Sequence, residues 1–264
     1  MAGRKASEKI KAQRAAEARR KRRRNWLAGG GATVVVAAAV ALSLALVGGG
    51  TPASGAPGTG TSNSISNAGG NLPLASLSTL GTLQPAPAAG ATGPESVPLP
   101  TAAPLAGTAA STTGQTIDGV SCQTDEQTIF HIHAHLTIFV NGQPRQIPAG
   151  IGIPAAQATS TPDGEFVSTG SCFYWLHTHA ADGIIHIESP VQRTYTLGEF
   201  FDEWGQPLSA NQVGPASGHL TVIYNGQVYQ GDPRVVPLTA HAQIQLEVGS
   251  PLVAPETITF PNGL

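Results

Sequence analysis

The sequence predicts an α+β or mainly β domain of antiparallel hairpins with one short helix, set behind an N-terminal transmembrane helix. Three observations predict it. Alternating apolar and polar stretches turn at Asn-Gly and Asp-Gly, dipeptides favoured by two-residue hairpin loops because both turn positions need positive φ. One capped, amphipathic segment lies among these stretches. Twenty-two uncharged residues follow a basic N-terminus.

Charge divides the chain. Residues 1–25 carry eleven Lys and Arg against Glu8 and Glu17, whereas the remaining residues carry only Arg145, Arg193 and Arg234 against fourteen Asp and Glu. An overall charge of −2 therefore hides +9 at the front and −11 behind. Residues 26–47, "WLAGGGATVVVAAAVALSLALV", are long and apolar enough to span a bilayer. The basic block before them would stay in the cytoplasm by the positive-inside rule, leaving the rest exported. The expectation is a single-pass cell-membrane protein with a cytoplasmic N-terminus. A cleaved signal peptide is the rival reading, against which the n-region is long and the cleavage site vague. Contact with the membrane accounts for the basic run without invoking nucleic acid.

Residues 48–115 are mainly Gly, Ala, Ser, Thr, Pro and Leu with one charge, Glu95, and no aromatic residue. Such a composition has little to bury and reads as a disordered linker. Residues 116–264 contain all eight histidines and both cysteines and form the exported domain. In an oxidising compartment Cys122 and Cys172 are most simply a disulfide, with Cys172 as a soft metal ligand the competing reading.

Within that domain, "HLTIFVNGQPRQIP" (135–148) turns at Asn141-Gly142, "FYWLHTHAADGIIHIES" (173–189) at Asp182-Gly183, and "HLTVIYNGQVYQG" (219–231) at Asn225-Gly226. In "TYTLGEFFDEWGQP", Thr196 and Glu199 have capping-box spacing, Leu197, Phe200, Phe201 and Trp204 make one apolar face, and Gly205 with Pro207 ends the helix. "AQIQLEVG" (242–249) is a last strand. A β-grasp-like arrangement is one candidate for this order. Six of nine positions are identical between His135–Gln143 and His219–Gln227, which suggests a duplicated hairpin or shared hairpin composition.

Alternation along a strand puts His131, His133 and His135 on one face and Ile132, Ala134, Leu136, Ile138 and Val140 on the other. With Asp182-Gly183 as a two-residue turn, His179 faces His186 and His177 faces Glu188, all on one face. His131 and His135 span about 13 Å, too far to share one ion comfortably. The candidate metal ligands are therefore His133, His135, His177, His179, His186 and Glu188, with His131 and His219 as lesser candidates and His241 as an outlier. A polar sheet face without metal is the alternative.

"HLTIFVNGQ…IPAGIGI", "WLHTHAADGIIHIESP" and "YTLGEFFDEWG" resemble a group of uncharacterised bacterial membrane-anchored proteins, over roughly 130–250. The resemblance implies a recurring His-rich extracytoplasmic domain and no particular activity. A cupin site would place its glutamate at Ile184, so that reading fails. Imidazole and carboxylate ligands suit Zn²⁺ or Cu²⁺. With Met1 the only methionine, a methionine-lined Cu(I) carrier does not fit. The expectation is a membrane-tethered, extracytoplasmic transition-metal-binding protein for buffering, delivery or sensing. The alternatives are a metal-dependent hydrolase or oxygenase using the same histidines, and a metal-free surface interaction module. No H-E-x-x-H or G-x-S-x-G motif is present to favour the enzyme.

A reporter that fluoresces only in the cytoplasm, fused after Leu264, should stay dark in cells. A bright fusion would remove the exported-domain expectation.

Overall fold

The computed structural model of the chain describes residues 72–108 and 113–264. The basic segment 1–25 and the apolar span 26–47 lie outside them. Among the described residues no helix is long and apolar enough to cross a membrane. These residues are mostly β, with one short α-helix.

Eight strands make the main sheet: β1 (Leu74–Ala75), β2 (Phe130–Val140), β3 (Gln143–Arg145), β4 (Leu176–His177), β5 (Ile184–Ser189), β6 (Leu220–Tyr224), β7 (Gln227–Tyr229) and β8 (Gln243–Val248). Their order is β1-β7-β6-β8-β2-β5-β4, with β3 also paired to β2. Neighbours run antiparallel except β8, which enters the middle of the sheet parallel to β2, from Gln243 opposite His135 to Val248 opposite Val140. Parallel pairing needs a long connection, and the chain between β2 and β8 supplies one.

Two of the three expected hairpins form as read. Asn141 and Gly142 adopt φ of 51° and 73° between Val140 and Gln143, and Asn225 and Gly226 adopt 49° and 75° between Tyr224 and Gln227. Both pairs therefore make the primed turn that matches strand twist.

The third hairpin differs. β4 pairs with β5 so that His177 lies opposite His186, and the expected pairings of His179 with His186 and His177 with Glu188 do not occur. Residues 178–183 form a wider connection, because their backbone is committed elsewhere. The Thr178 amide donates to Ile151 (3.1 Å), the Ile184 amide to the Asp182 side chain (3.1 Å), and the Gly183 carbonyl accepts from Leu136 (2.9 Å). The register moves by two residues, not one, so every side chain keeps its expected face. Gly183 has a φ of 86°, and a Cβ there would meet the Leu136 carbonyl oxygen at 2.3 Å.

The helix, α1 (Leu197–Trp204), begins as predicted. Thr196 caps it, with the Glu199 carboxylate accepting from the Thr196 amide at 2.8 Å and the Thr196 hydroxyl accepting from the Glu199 amide. Gly205 ends it in a left-handed conformation with φ of 67°. Leu197, Phe200, Phe201 and Trp204 join Ala134, Leu136 and Ile138 of β2 and Ile185 and Ile187 of β5 in one core cluster. Burying each such large side chain contributes about 1.5–3 kcal/mol.

The opposite sheet face is covered too, partly by residues read as linker. Within 72–108, Glu95 reaches His186 on that face (3.0 Å), while Leu74 pairs with Tyr229 at the sheet edge and Leu105 and the Gly107 carbonyl, which accepts from the Trp204 indole (2.9 Å), join the helix side. Val97 is wholly buried. This segment needs no core of its own because it borrows the sheet's, and so its composition understates its order. Another cover is a hairpin of strands Gln157–Thr161 and Gly164–Thr169.

Cys122 and Cys172 form a disulfide, as expected, across a sequence separation of 50. It joins the short strand pair Cys122–Gln123 and Phe173–Tyr174, just before the site histidines. Closing a loop of that length should stabilise the domain by about 4 kcal/mol on the chain-entropy model. A Cys122→Ser/Cys172→Ser double variant should lose an amount of this order in denaturant unfolding. A loss under about 1 kcal/mol would contradict the assignment.

Candidate metal centre

β2 and β5 lie side by side with His131 opposite Glu188, His133 opposite His186 and His135 opposite Ile184. β4 adds His177 on the other flank of His186. Strand alternation then brings His131, His133, His177, His186 and Glu188 onto one face. His179 leaves the end of β4 and joins them from the loop.

This face is interior. His177 has no exposed surface, and His133, His179, His186 and Glu188 retain at most 5%. Phe166 stacks on the His179 ring at 5.0 Å, and the Val167 amide donates to the His179 carbonyl (2.8 Å). Gly152 passes so close to β4 that a Cβ would meet the Leu176 carbonyl oxygen at 2.2 Å, and it lies against His177. Only a glycine lets the 150–152 loop seal that edge.

Hydrogen bonds set the ring orientations. His177 Nδ1 lies 2.8 Å from the Tyr174 carbonyl oxygen, and His179 Nδ1 is bonded to the Val167 carbonyl oxygen. A carbonyl only accepts, so each Nδ1 carries the hydrogen and each Nε2 keeps its lone pair. Those two Nε2 atoms face each other at 3.1 Å. Two facing lone pairs, with neither atom holding a hydrogen to share, want a proton or a cation between them.

A second set adjoins the first. His131 Nε2 lies 3.1 Å from His133 Nε2 and 3.1 Å from Glu188 Oε1. His133 Nε2 is 3.1 Å from His186 Nδ1, and His186 Nδ1 is 3.5 Å from Glu188 Oε1. For metal–nitrogen bonds of about 2.0–2.1 Å, tetrahedral ligands stand about 3.3 Å apart. Both sets, His131/His133/His186/Glu188 and His177/His179/His186/Glu188, are spaced so that they could hold a metal ion.

His133, His177, His179, His186 and Glu188 are thus brought together. His131, read as a lesser candidate, belongs with them. His135, read as the partner of His133, does not: its Nε2 donates to the Asp182 carbonyl at 3.0 Å, beside Gly183. His219 is exposed and outside both sets. His241, an outlier from the start, is exposed, bonds the Leu264 carbonyl (2.9 Å) and stacks on Phe260.

Two carboxylates escaped the sequence reading. Glu95 Oε1 lies 3.0 Å from His186 Nε2, presented by a turn in which the Gly93 amide donates to Val97 (2.7 Å). Its signal was present, because Glu95 is the one charge in a 68-residue stretch. Glu126 Oε1 lies 3.5 Å from His179 Nε2 and had no signal beyond its sign.

Burial dominates the electrostatics. It pushes His133 down to about 2, with the neighbouring His186 and His131 adding to the effect. Burial likewise holds His135 and His179 near 4 and His177 well below its ordinary value. His186 goes the other way: burial opposes its charge, but Glu95 and then Glu188 outweigh that and raise it to about 10. The Glu188 carboxyl, against the cost of its own burial, is held low by hydrogen bonds from His131 and His186.

Searches against family models, curated proteins and solved structures found no match to this chain.

In metal-free protein, His133, His135, His177 and His179 stay neutral where the unfolded chain would protonate them below about pH 6.5. The unfolded state then binds more protons, so stability falls as pH drops from about 6.5 towards 4, by about 1.4 kcal/mol per pH unit per histidine. His186 is protonated in both states below about pH 6, and the buried carboxyls of Asp182 and Glu203, which burial keeps protonated in the folded state, offset part of the slope without cancelling the four histidines. Denaturant unfolding at intervals of pH should show this slope, and a flat profile would contradict the buried, neutral assignment.

Proposed function

We propose that the chain is a membrane-tethered, extracytoplasmic protein that binds a divalent transition metal, Zn²⁺ or Cu²⁺, for buffering, delivery or sensing. The observation that carries the reading is the facing pair of Nε2 lone pairs on His177 and His179, each ring fixed by a backbone carbonyl at Nδ1. Metal-binding imidazoles are oriented this way through their second nitrogen. The Glu95 contact to His186 is of the same kind. Imidazoles with one carboxylate suit these ions.

Four protein side chains in each set, all of them buried except His131, favour a binding module over an enzyme, because catalysis needs a position left for water or substrate. The disulfide supports an oxidising compartment, and the basic block with the 26–47 span supports the tether. The strand order, with first and last long strands parallel at the centre and hairpins outside, supports a β-grasp-like arrangement. The likeness to uncharacterised membrane-anchored proteins is read the same way.

Calorimetric titration of the full chain with Zn²⁺ and Cu²⁺ tests the reading. Wild type should have a site tighter than about 10 μM, the range above which scattered surface histidines also bind. His179→Ala and His186→Ala should weaken it by more than about a hundredfold, and Glu95→Gln by about 10–100-fold as an outer partner. His241→Ala should change nothing. Absence of any such site in wild type would leave only a polar interior.

A further inference from the structure

We propose that the cluster is a two-ion centre, in which Glu188 bridges two divalent cations side by side. The proposal rests on the metal-binding reading above and goes further in stoichiometry and in the role of Glu188.

The two sets of donors share His186 and Glu188 and differ in their other two histidines. The outer one closes as a ring, His131 Nε2 to His133 Nε2 to His186 Nδ1 to Glu188 Oε1 and back, with steps of 3.1, 3.1, 3.5 and 3.1 Å. Each step is close to the tetrahedral edge of about 3.3 Å. The inner set begins with the His177 and His179 Nε2 atoms, 3.1 Å apart, which the outer ring does not use. A single ion would leave one of these two groups of lone pairs facing each other inside the protein.

Only two residues belong to both sets, His186 and Glu188. A neutral imidazole has one lone pair to give. His186 turns Nδ1 to the outer ring and Nε2 to Glu95, so it serves the outer ion. Glu188 has two oxygens. Oε1 completes the outer ring, while Oε2 is buried without a hydrogen-bond partner among the described residues. A carboxylate shared between two ions satisfies both oxygens. It would set the ions about 3.5–4 Å apart, the usual spacing of paired metals. Glu126, 3.5 Å from His179 Nε2, lies where it adds negative charge on the inner side, as Glu95 does on the outer. Three carboxylates offset most of the charge of two divalent ions, which burial demands.

His131 also marks the way in. Its side chain is 36% exposed, while Glu188 beside it is 4% exposed. On the inner side Glu126, beside His179, is 28% exposed, so the outer position is the more open of the two.

The test is to load the full chain with Cu²⁺, count ions by native mass spectrometry and record the electron paramagnetic resonance spectrum. The expected result is two ions per chain, both bound tighter than about 10 μM, with the isolated-Cu²⁺ signal lost to coupling between them. His131→Ala/His133→Ala and His177→Ala/His179→Ala should each retain one ion and recover the isolated signal. One ion at saturation in wild type overturns the two-ion centre and leaves the metal-binding reading standing. Two ions without coupling overturn the Glu188 bridge. No ion overturns both readings. Wild-type protein alone separates these outcomes, whether or not the variants fold.

Discussion

A buried imidazole has two nitrogens, and neither can be left to water. One must donate a hydrogen and the other must find a donor or a cation, or the burial costs about 1–3 kcal/mol per unsatisfied atom. His177 and His179 meet the first demand with the Tyr174 and Val167 carbonyls, and so turn their remaining lone pairs towards each other. The rest of the site follows from that constraint. Gly152 seals the edge over His177, Phe166 covers His179, and in the metal-free protein the protonated His186 sits between two carboxylates that hold its charge, a proton that a bound metal ion would displace.

The apolar face of β2 fixes where this happens. Leu136 and Ile138 anchor the strand in the core with α1, so the alternate residues have nowhere to point but the other face. In an ordinary half-exposed sheet they would meet water. Here residues 72–108 and the hairpin of Gln157–Thr161 with Gly164–Thr169 close over them, and a polar face becomes a dry one. Drying depresses the imidazole pKa values and strengthens any cation the site takes up, because the low local dielectric leaves its ligands less screened.

Much of this was legible from local pattern. Asn141-Gly142 and Asn225-Gly226 specified their turns, Thr196 and Glu199 their helix start, and the alternation around His133 its face. What pattern could not supply was long-range. Asp182-Gly183 carries the same turn signal as the others, yet Leu136 and Ile151 claim its neighbours' backbone and shift the register by two. That even shift is why the right face survived the wrong pairing. His135 looked equivalent to His133, but its partner is a loop carbonyl that no strand pattern predicts. Glu95 was hidden because a segment of Ala, Pro and Gly that only covers another element's core has no periodicity of its own. A lone charge in such a segment is the one local hint that it has somewhere to go.

The central claim is that these imidazoles bind metal directly, and X-ray absorption at the zinc edge of Zn²⁺-loaded full chain tests it most directly. The account predicts a nitrogen and oxygen shell at about 2.0 Å with the outer-shell scattering of several imidazole rings, diminished in His179→Ala. A shell of oxygen alone, with no imidazole scattering and no change in that variant, would contradict it.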